Sequence, residues 1–259
     1  MSIIGSIIGD IIGSQYEFNM PSDYDPATVP LFNDNCKYTD DTVMTIATKA
    51  AVIRGEPFAK VYQEFGRKYP DAGYGNLFYG WLFEEDPKPY GSFGNGSAMR
   101  VSYIADYYDK KLEVMFKAAE SAMCSHDHPE GMKGAIVTAT CSYMAKHGAS
   151  KEDILTFSNR SYPLSEYTFS SERSLDNIRN IYTWDGTCQG SVPVAMRCIY
   201  EANSYIEFIR NVFSLNCDMD TICAIGGSVA EELFGGTGLN NEVILKKYLP
   251  EELLAIVYQ

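Results

Sequence analysis

Two short acidic stretches are the residues in this chain whose types and spacing first read as chemistry. Tyr38-Thr39-Asp40-Asp41-Thr42 and Asn216-Cys217-Asp218-Met219-Asp220-Thr221 each set carboxylate and hydroxyl oxygens side by side, and each runs into an apolar helical pattern. Taken singly, either stretch is an ordinary helix start. Thr39 is a good N-cap, and acids in a first turn meet the positive end of the helix dipole, worth about 0.3–1 kcal/mol. The same oxygens suit a hard cation such as magnesium. Two clusters of this kind favour a shared pair of divalent ions that orient substrate oxygens and activate water. Their spacing along the chain does not by itself bring them together.

Three further segments add to this. Tyr90-Gly91-Ser92-Phe93-Gly94-Asn95-Gly96-Ser97-Ala98-Met99-Arg100 leads three glycines into a helical pattern. Glycine lets backbone amides approach a ligand, and a helix N-terminus favours phosphate, although a plain glycine-rich turn fits equally well. The stretch matches neither a P-loop nor a dinucleotide fingerprint. Ser125-His126-Asp127-His128-Pro129-Glu130-Gly131 holds two of the three histidines. Without a partner set of His or Cys it reads as loop and capping residues, or as a His beside a ligand. Glu17 follows Gly13-Ser14-Gln15-Tyr16 and begins a long loop, from which an acid can reach over a site.

The elements that must position these residues are helical. Ile3, Ile4, Ile7, Ile8, Ile11 and Ile12 recur at helical spacing and predict one apolar helix face. Val43 to Ala51 repeat the pattern, with Gly55 as a stop. Further helices are expected around 57–68, 76–84, 97–108, 111–124, 130–147, 151–158, 171–182, 190–202, 204–214, 219–234 and 250–258. Alternating strand patterns are scarce. The expectation is an all-α fold of about a dozen helices in one compact domain, residues 1–259. Irregular stretches at 18–38, 85–96 and 160–170 are where binding residues tend to lie.

Bulk composition narrows the function. The chain has 259 residues, 46% of them hydrophobic and 21% charged, enough for a substantial core. A net charge of −13 does not draw in a phosphate backbone, so nucleic acid is not expected as a partner except as a modified acceptor. An anionic ligand must be met locally, by amides, helix ends or cations. Seven cysteines with no CxxC indicate neither a disulfide framework nor zinc, and fit a reducing cytoplasm. Met1–Gly13 has no basic residue before its apolar run and does not read as a signal peptide. No apolar stretch is long enough for a membrane span.

In this order, the segments resemble the ADP-ribosylglycohydrolase family, which includes ADP-ribosylarginine hydrolases, ADP-ribosylserine hydrolases and the dinitrogenase reductase-activating glycohydrolase. The resembling residues are Gly9-Asp10, Gly13, Glu17, Thr39-Asp40-Asp41-Thr42, Gly94 to Arg100, Ser125-His126, Pro129-Glu130-Gly131, Asp218, Asp220-Thr221 and Gly226-Gly227. The resemblance implies an all-α fold with a binuclear Mg²⁺ centre in a cleft, Mn²⁺ being a possible substitute. Its ligands would be Thr39, Asp40, Asp41, Asp218, Asp220 and Thr221, with the distal ribose at the metals. Asn95, Gly96 and Ser97 would hold the diphosphate, and His126 would contact the phosphate–ribose region. Glu17, the family's mobile acid, and Asp41 would be the catalytic carboxylates. The substrate would be an ADP-ribosylated protein or a small ADP-ribose conjugate, handled by a monomer.

One departure stands out. The family usually carries two glycines before its second acidic motif, where this chain has Asn216 and Cys217. Two other readings remain at the level of sequence: a non-catalytic ADP-ribose binding module, and a two-metal hydrolase of phosphoesters. Acceptor contacts are expected from 18–38, 70–76 and 160–170. Tyr74, Tyr90 and Phe93 either stack on adenine or pack in the core.

Overall fold

A computed structural model describes residues 2–18 and 20–259. In chain order the helices are α1 Ser2–Gly13, α2 Asp40–Arg54, α3 Phe58–Lys68, α4 Asn76–Phe83, α5 Gly96–Met99, α6 Ser102–Tyr107, α7 Lys111–Met123 and α8 Pro129–Lys146. They continue as α9 Lys151–Ser161, α10 Leu175–Ile181, α11 Cys188–Tyr200, α12 Tyr205–Phe213, α13 Met219–Leu233, α14 Asn241–Tyr248 and α15 Glu251–Val257. Among the described residues the only β pairing is an isolated antiparallel bridge between Gly94 and Thr187. The chain is all-α, as the periodicity predicts, and no helix among the described residues is long and apolar enough to cross a membrane.

Helix α13 is the axis of the domain. Every residue from Met219 to Glu231 is buried, so the helix has no solvent face, and α1, α8, α11 and α12 pack around it. Its closest partner is α1. Here the structure corrects the expectation of a single apolar face: Ile3, Ile7, Ile8, Ile11 and Ile12 are buried, and so is the opposite side, formed by Gly5, Gly9 and Gly13. These glycines recur every fourth residue and lie against α13 backbone. A Cβ on Gly9 would sit 2.3 Å from the Cys223 carbonyl oxygen, and one on Gly13 would sit 2.5 Å from the Asp220 Cα. Hydrogen in place of a methyl is what allows two helix backbones to approach this closely.

Other boundaries differ from expectation for local reasons. The stretch expected as one helix over 97–108 breaks at Arg100–Val101 into α5 and α6. The 171–182 segment becomes helical only at Leu175, after the Ser174 side chain caps it by accepting from Asn177 N. Helix α14 has no counterpart in the sequence reading. Its eight residues are capped by Asn240 and bury only Leu245, too little apolar periodicity to read. All seven cysteines are free thiols, six of them buried.

Candidate active site

The two acidic stretches meet. Thr39 caps α2, its hydroxyl accepting from Asp41 N, and Asp40 and Asp41 open the helix. Asp218 stands at the N-cap of α13 but makes no side-chain cap bond there. Its Oδ2 instead accepts from Asn95 Nδ2 at 2.8 Å. The hydroxyl of Thr221 donates to Asp41 Oδ2 at 3.2 Å, joining residues 180 positions apart. Two triads of carboxylates result: Asp10, Asp41 and Asp220 form one, Glu17, Asp218 and Asp220 the other. In each, one oxygen per residue lies within 4.8 Å of the others. Asp220 belongs to both. Asp40 stands at the same cavity wall, beside Gly73, but is in neither triad.

Asp10 is the member sequence reasoning did not assign. It lies on α1, fully buried, and accepts from Thr39 N at 2.9 Å, Thr39 Oγ1 at 2.7 Å and Thr42 N at 3.1 Å, with a fourth bond from Thr42 Oγ1. One carboxylate thus shapes the whole Thr39–Thr42 turn. The signal was visible: a charged residue inside a run of isoleucines is expensive unless it has partners.

Burial raises the pKa of every carboxyl here. Asp10 is lifted to about 6, against the pull of its bonds from Thr42 and Thr39. Glu17 goes to about 7, through burial and then the charge of Asp218. Asp40 reaches about 8, burial again leading, with Asp10 and Asp218 adding to it. Asp41 and Asp220 are held well above the usual range by burial and by neighbouring acids, and Asp218 is raised by burial. Carboxylates this close and this dry need protons or cations as counter-charge. Asp41 Oδ1 is buried with no hydrogen-bond partner. An all-oxygen donor set of buried carboxylates, one of them shared, fits hard divalent ions.

Glu17, Asp41, Asp218 and Asp220 of the triads line a cavity of about 900 Å³, and Asp10 is not among its lining residues. The glycine-rich loop forms another wall. Asn95 N donates to Gly186 O at 2.9 Å and Cys188 N to Phe93 O at 2.9 Å, so the loop is fixed to the entry of α11. Gly94, Asn95, Gly96 and His126 line the cavity. Ser97 does not: it is fully buried and its hydroxyl donates to Gly131 O at 2.7 Å. His126 is almost fully buried, and burial, then the charge of Arg100, holds its pKa well below the ordinary value. His128 is a cap, accepting from Glu130 N.

The aromatic residues divide. Tyr90 lines the cavity, as do Phe78 and the exposed side chains of Phe18, Leu77 and Trp184. Tyr74 is buried against Phe78, and Phe93 packs on His128. Of the segments expected to carry acceptor contacts, 18–38 and 70–76 contribute lining residues. No residue of 160–170 does, and Trp184 and Gly186 stand there instead. Lys133, Glu130 and Tyr167 bond one another and hold 160–170 against α8, away from the mouth. Asn216 and Cys217 have no positive φ, so this backbone does not need the glycines usual in the resembling family. The Cys217 thiol points inward and donates to Val212 O.

ADP-ribosylhydrolase ARH3 of Mus musculus is 30% identical over 183 residues, covering 58% of this chain and 50% of that protein. The human protein of the same name is 31% identical over the same length and coverage, so the matched stretch spans about half of these two relatives. ADP-ribosylarginine hydrolase Tri1 of Pseudomonas putida is 22% identical, covering 95% of this chain and 72% of that protein. A solved ADP-ribosylglycohydrolase-related protein complex shares the fold, with a TM-score of 0.73 at 19% identity, covering 98% of this chain and 93% of that one. The family model for ADP-ribosylglycohydrolase matches residues 1–253, and the chain belongs to that family.

Proposed function

We propose that this protein hydrolyses the glycosidic bond between ADP-ribose and an acceptor, with two Mg²⁺ ions held at the paired triads. The observation that carries the reading is the shared Asp220: two three-carboxylate groups, buried except for the half-buried Glu17, meet at one residue on the wall of a cavity that elsewhere offers the glycine loop, the His126 imidazole and the cations Lys37 and Arg100. Asp10, Asp41 and Asp220 would hold one ion, Glu17, Asp218 and Asp220 the other. Thr39, Thr221 and Asp40 would add oxygens or orient the carboxylates. When bound, the ions would align the distal ribose hydroxyls and a water. Mn²⁺ would be accepted by the same oxygen set.

The chain's own groups divide the remaining work. The amide of Gly96, at the start of α5 and on the cavity wall, has no intrahelical acceptor and can bind the diphosphate. Asn95 holds Asp218 from the glycine-loop side. Glu17, the half-buried member of the triads, has its pKa raised to about 7 in the metal-free site by burial and then the charge of Asp218, and when not bound to an ion it would give a proton to the leaving group or take one from water. Asp41, whose Oδ1 lacks a partner, is the second carboxylate placed to act at the reacting centre. The exposed rings of Phe18 and Trp184 rim the cavity and would meet the acceptor, a protein side chain or small conjugate.

The test is release of ADP-ribose from arginine-, serine- and O-acetyl-linked conjugates, with Mg²⁺, with Mn²⁺ and with excess chelator. We expect release with either ion and none with chelator. Undiminished release in chelator would overturn the metal reading. Tight ADP-ribose binding with no turnover of any conjugate would make this a binding module, and AMP or phosphate as product a phosphoester hydrolase.

A further inference from the structure

Arg100 follows α5 directly and is 1% exposed. Its guanidinium lies over the Tyr62 ring, 4.3 Å from the centroid, and 5.6 Å from that of Phe78. One terminal nitrogen donates to Ser121 O at 2.8 Å and to Ser125 Oγ at 3.1 Å. Among the described residues it forms no ion pair. Its buried charge is met only by ring faces, a carbonyl and a hydroxyl, and its Nε has no partner. Yet it lines the same cavity as His126.

Ser125 connects the two. Its hydroxyl is fully buried and lies 2.8 Å from His126 Nδ1. Arginine has donors only, so Ser125 Oγ must accept from Arg100. The Ser125 proton then needs an acceptor, and His126 Nδ1 is the one in reach. Were Nδ1 protonated, the buried Ser125 proton would have nowhere to go, at the cost of an unmade hydrogen bond. A neutral imidazole that accepts at Nδ1 carries its proton on Nε2. That nitrogen faces the glycine loop, 3.3 Å from where a Cβ on Gly96 would stand and 3.7 Å from the corresponding point on Gly94.

We infer that Arg100 and Ser125 are positioning residues that lock His126 as its Nε2–H tautomer, aimed at the first turn of α5 as a fixed, uncharged donor for an anionic ligand. The permanent positive charge is held on Arg100 by Ser121 O and Ser125 Oγ, and among the described residues it forms no ion pair with the carboxylate triads. This rests on the reading above that the diphosphate of ADP-ribose occupies the glycine loop. The groups facing His126 are Arg100 and Ser125, the Tyr90 and Phe78 rings, and Gly94 and Gly96 of the loop.

Two measurements test it. With only three histidines in the chain, ¹⁵N spectra of the ligand-free protein, assigned by the signal lost in His126→Gln, report the tautomer directly. We expect a protonated Nε2 and an accepting Nδ1, with a shifted Nδ1 signal in Ser125→Ala. A protonated Nδ1, or an imidazolium at pH 7, overturns the proposal whatever the ligand. Calorimetry with ADP-ribose in Mg²⁺ then supplies a cycle. Ser125→Ala should weaken binding about tenfold through the misdirected imidazole. In a His126→Gln background, where an amide replaces the ring donor, the same Ser125→Ala change should have no further effect. An equal loss in both backgrounds means Ser125 acts on the fold at large and refutes the relay. If wild type fails to bind ADP-ribose, the functional reading fails, while the tautomer remains decided by the spectra.

Discussion

Gly9 is where a single methyl group should separate metal binding from folding. A Cβ there would lie 2.3 Å from the Cys223 carbonyl oxygen and 2.7 Å from its carbonyl carbon, both rigid α13 backbone. Reaching an ordinary contact of roughly 3.5 Å means moving α1 and α13 apart by roughly 1 Å. Asp10 follows Gly9 on α1, and Asp220 lies one turn before Cys223 on α13. Oxygens of these two and Asp41 lie within 4.8 Å of one another, so the shift falls on the triad. Sites tolerate roughly 0.5 Å, and a 1 Å misplacement costs about 10²-fold in rate. Overpacking costs about 1–3 kcal/mol, and the helical gain of alanine over glycine returns about 1 kcal/mol. The net loss of about 0–2 kcal/mol should lower Tm by up to roughly 8 °C in a chain of this size. Gly80 on α4 is the control: exposed, with nothing within 4 Å of a Cβ, and φ not positive. Gly80→Ala should raise stability by about 0.5–1 kcal/mol and leave ADP-ribose release alone. Scanning fluorimetry and the release assay on both variants decide it. Wild-type Tm and release in Gly9→Ala would refute the close-approach argument.

Two other predictions concern the acids. In the metal-free protein the folded state holds Asp10, Glu17 and Asp40 at about 6, 7 and 8, against ordinary values near 4, so it binds more protons than the unfolded chain between about pH 4 and 8. Stability must then fall as pH rises through that window. We expect Tm in chelator to drop from pH 5.5 to pH 8 and Mg²⁺ to restore it mostly at the higher pH; a rise in chelator across that range would contradict the counter-charge argument. Asp220→Asn, at the residue shared by both triads, should abolish the Mg²⁺-induced rise in Tm, whereas Glu17→Gln, which touches one triad only, should keep part of it while release falls by about 10²–10⁴. Equal loss of the Mg²⁺ response in both would make Glu17 a ligand first and a proton carrier second.

What the sequence made legible was chemistry concentrated in few residues. The Thr39–Thr42 and Asp218–Thr221 stretches, the glycine loop and His126 could be named because acids, glycines and histidine are conspicuous among helical apolar residues. Asp10 was conspicuous too, but its role depends on Thr39 and Thr42 arriving from a different helix, which no local pattern contains. Gly9 and Gly13 stand out as motif residues, but the packing row they form with Gly5 does not, because isoleucines dominate the periodicity of α1. A helix buried on both sides gives the same apolar signal as one buried on one side. Trp184 and Gly186 lie in a segment with no periodicity at all. They reach the cavity because Gly186 O accepts from Asn95 and Thr187 pairs with Gly94, tertiary contacts without a sequence signature. Arg100 read as the end of a glycine-loop motif, and only burial without an ion pair gave it a separate role.

A chain of net charge −13 that took a diphosphate sugar, as proposed above, would have to solve two problems in one cavity. The carboxylates that would bind cations repel the ligand, and the donors that would bind the diphosphate must not neutralise those carboxylates. The arrangement separates the two. The acids stand where α1, α2 and α13 converge, and the anion donors are backbone amides and a neutral His126 on a loop fixed to α11. Asn95 is the one side chain that spans both, with Nδ2 donating to Asp218 Oδ2 at 2.8 Å and to Ser191 Oγ at 3.0 Å. A lysine on that loop would bind phosphate more strongly, but its mobile ammonium would also reach the triads and compete with the cations. An amide cannot carry charge, so it sets the distance between the two ends without shifting the balance at either. The full positive charge of Arg100 is buried beside Ser125 and His126, where it can polarise the donor, and among the described residues it forms no ion pair with the acids.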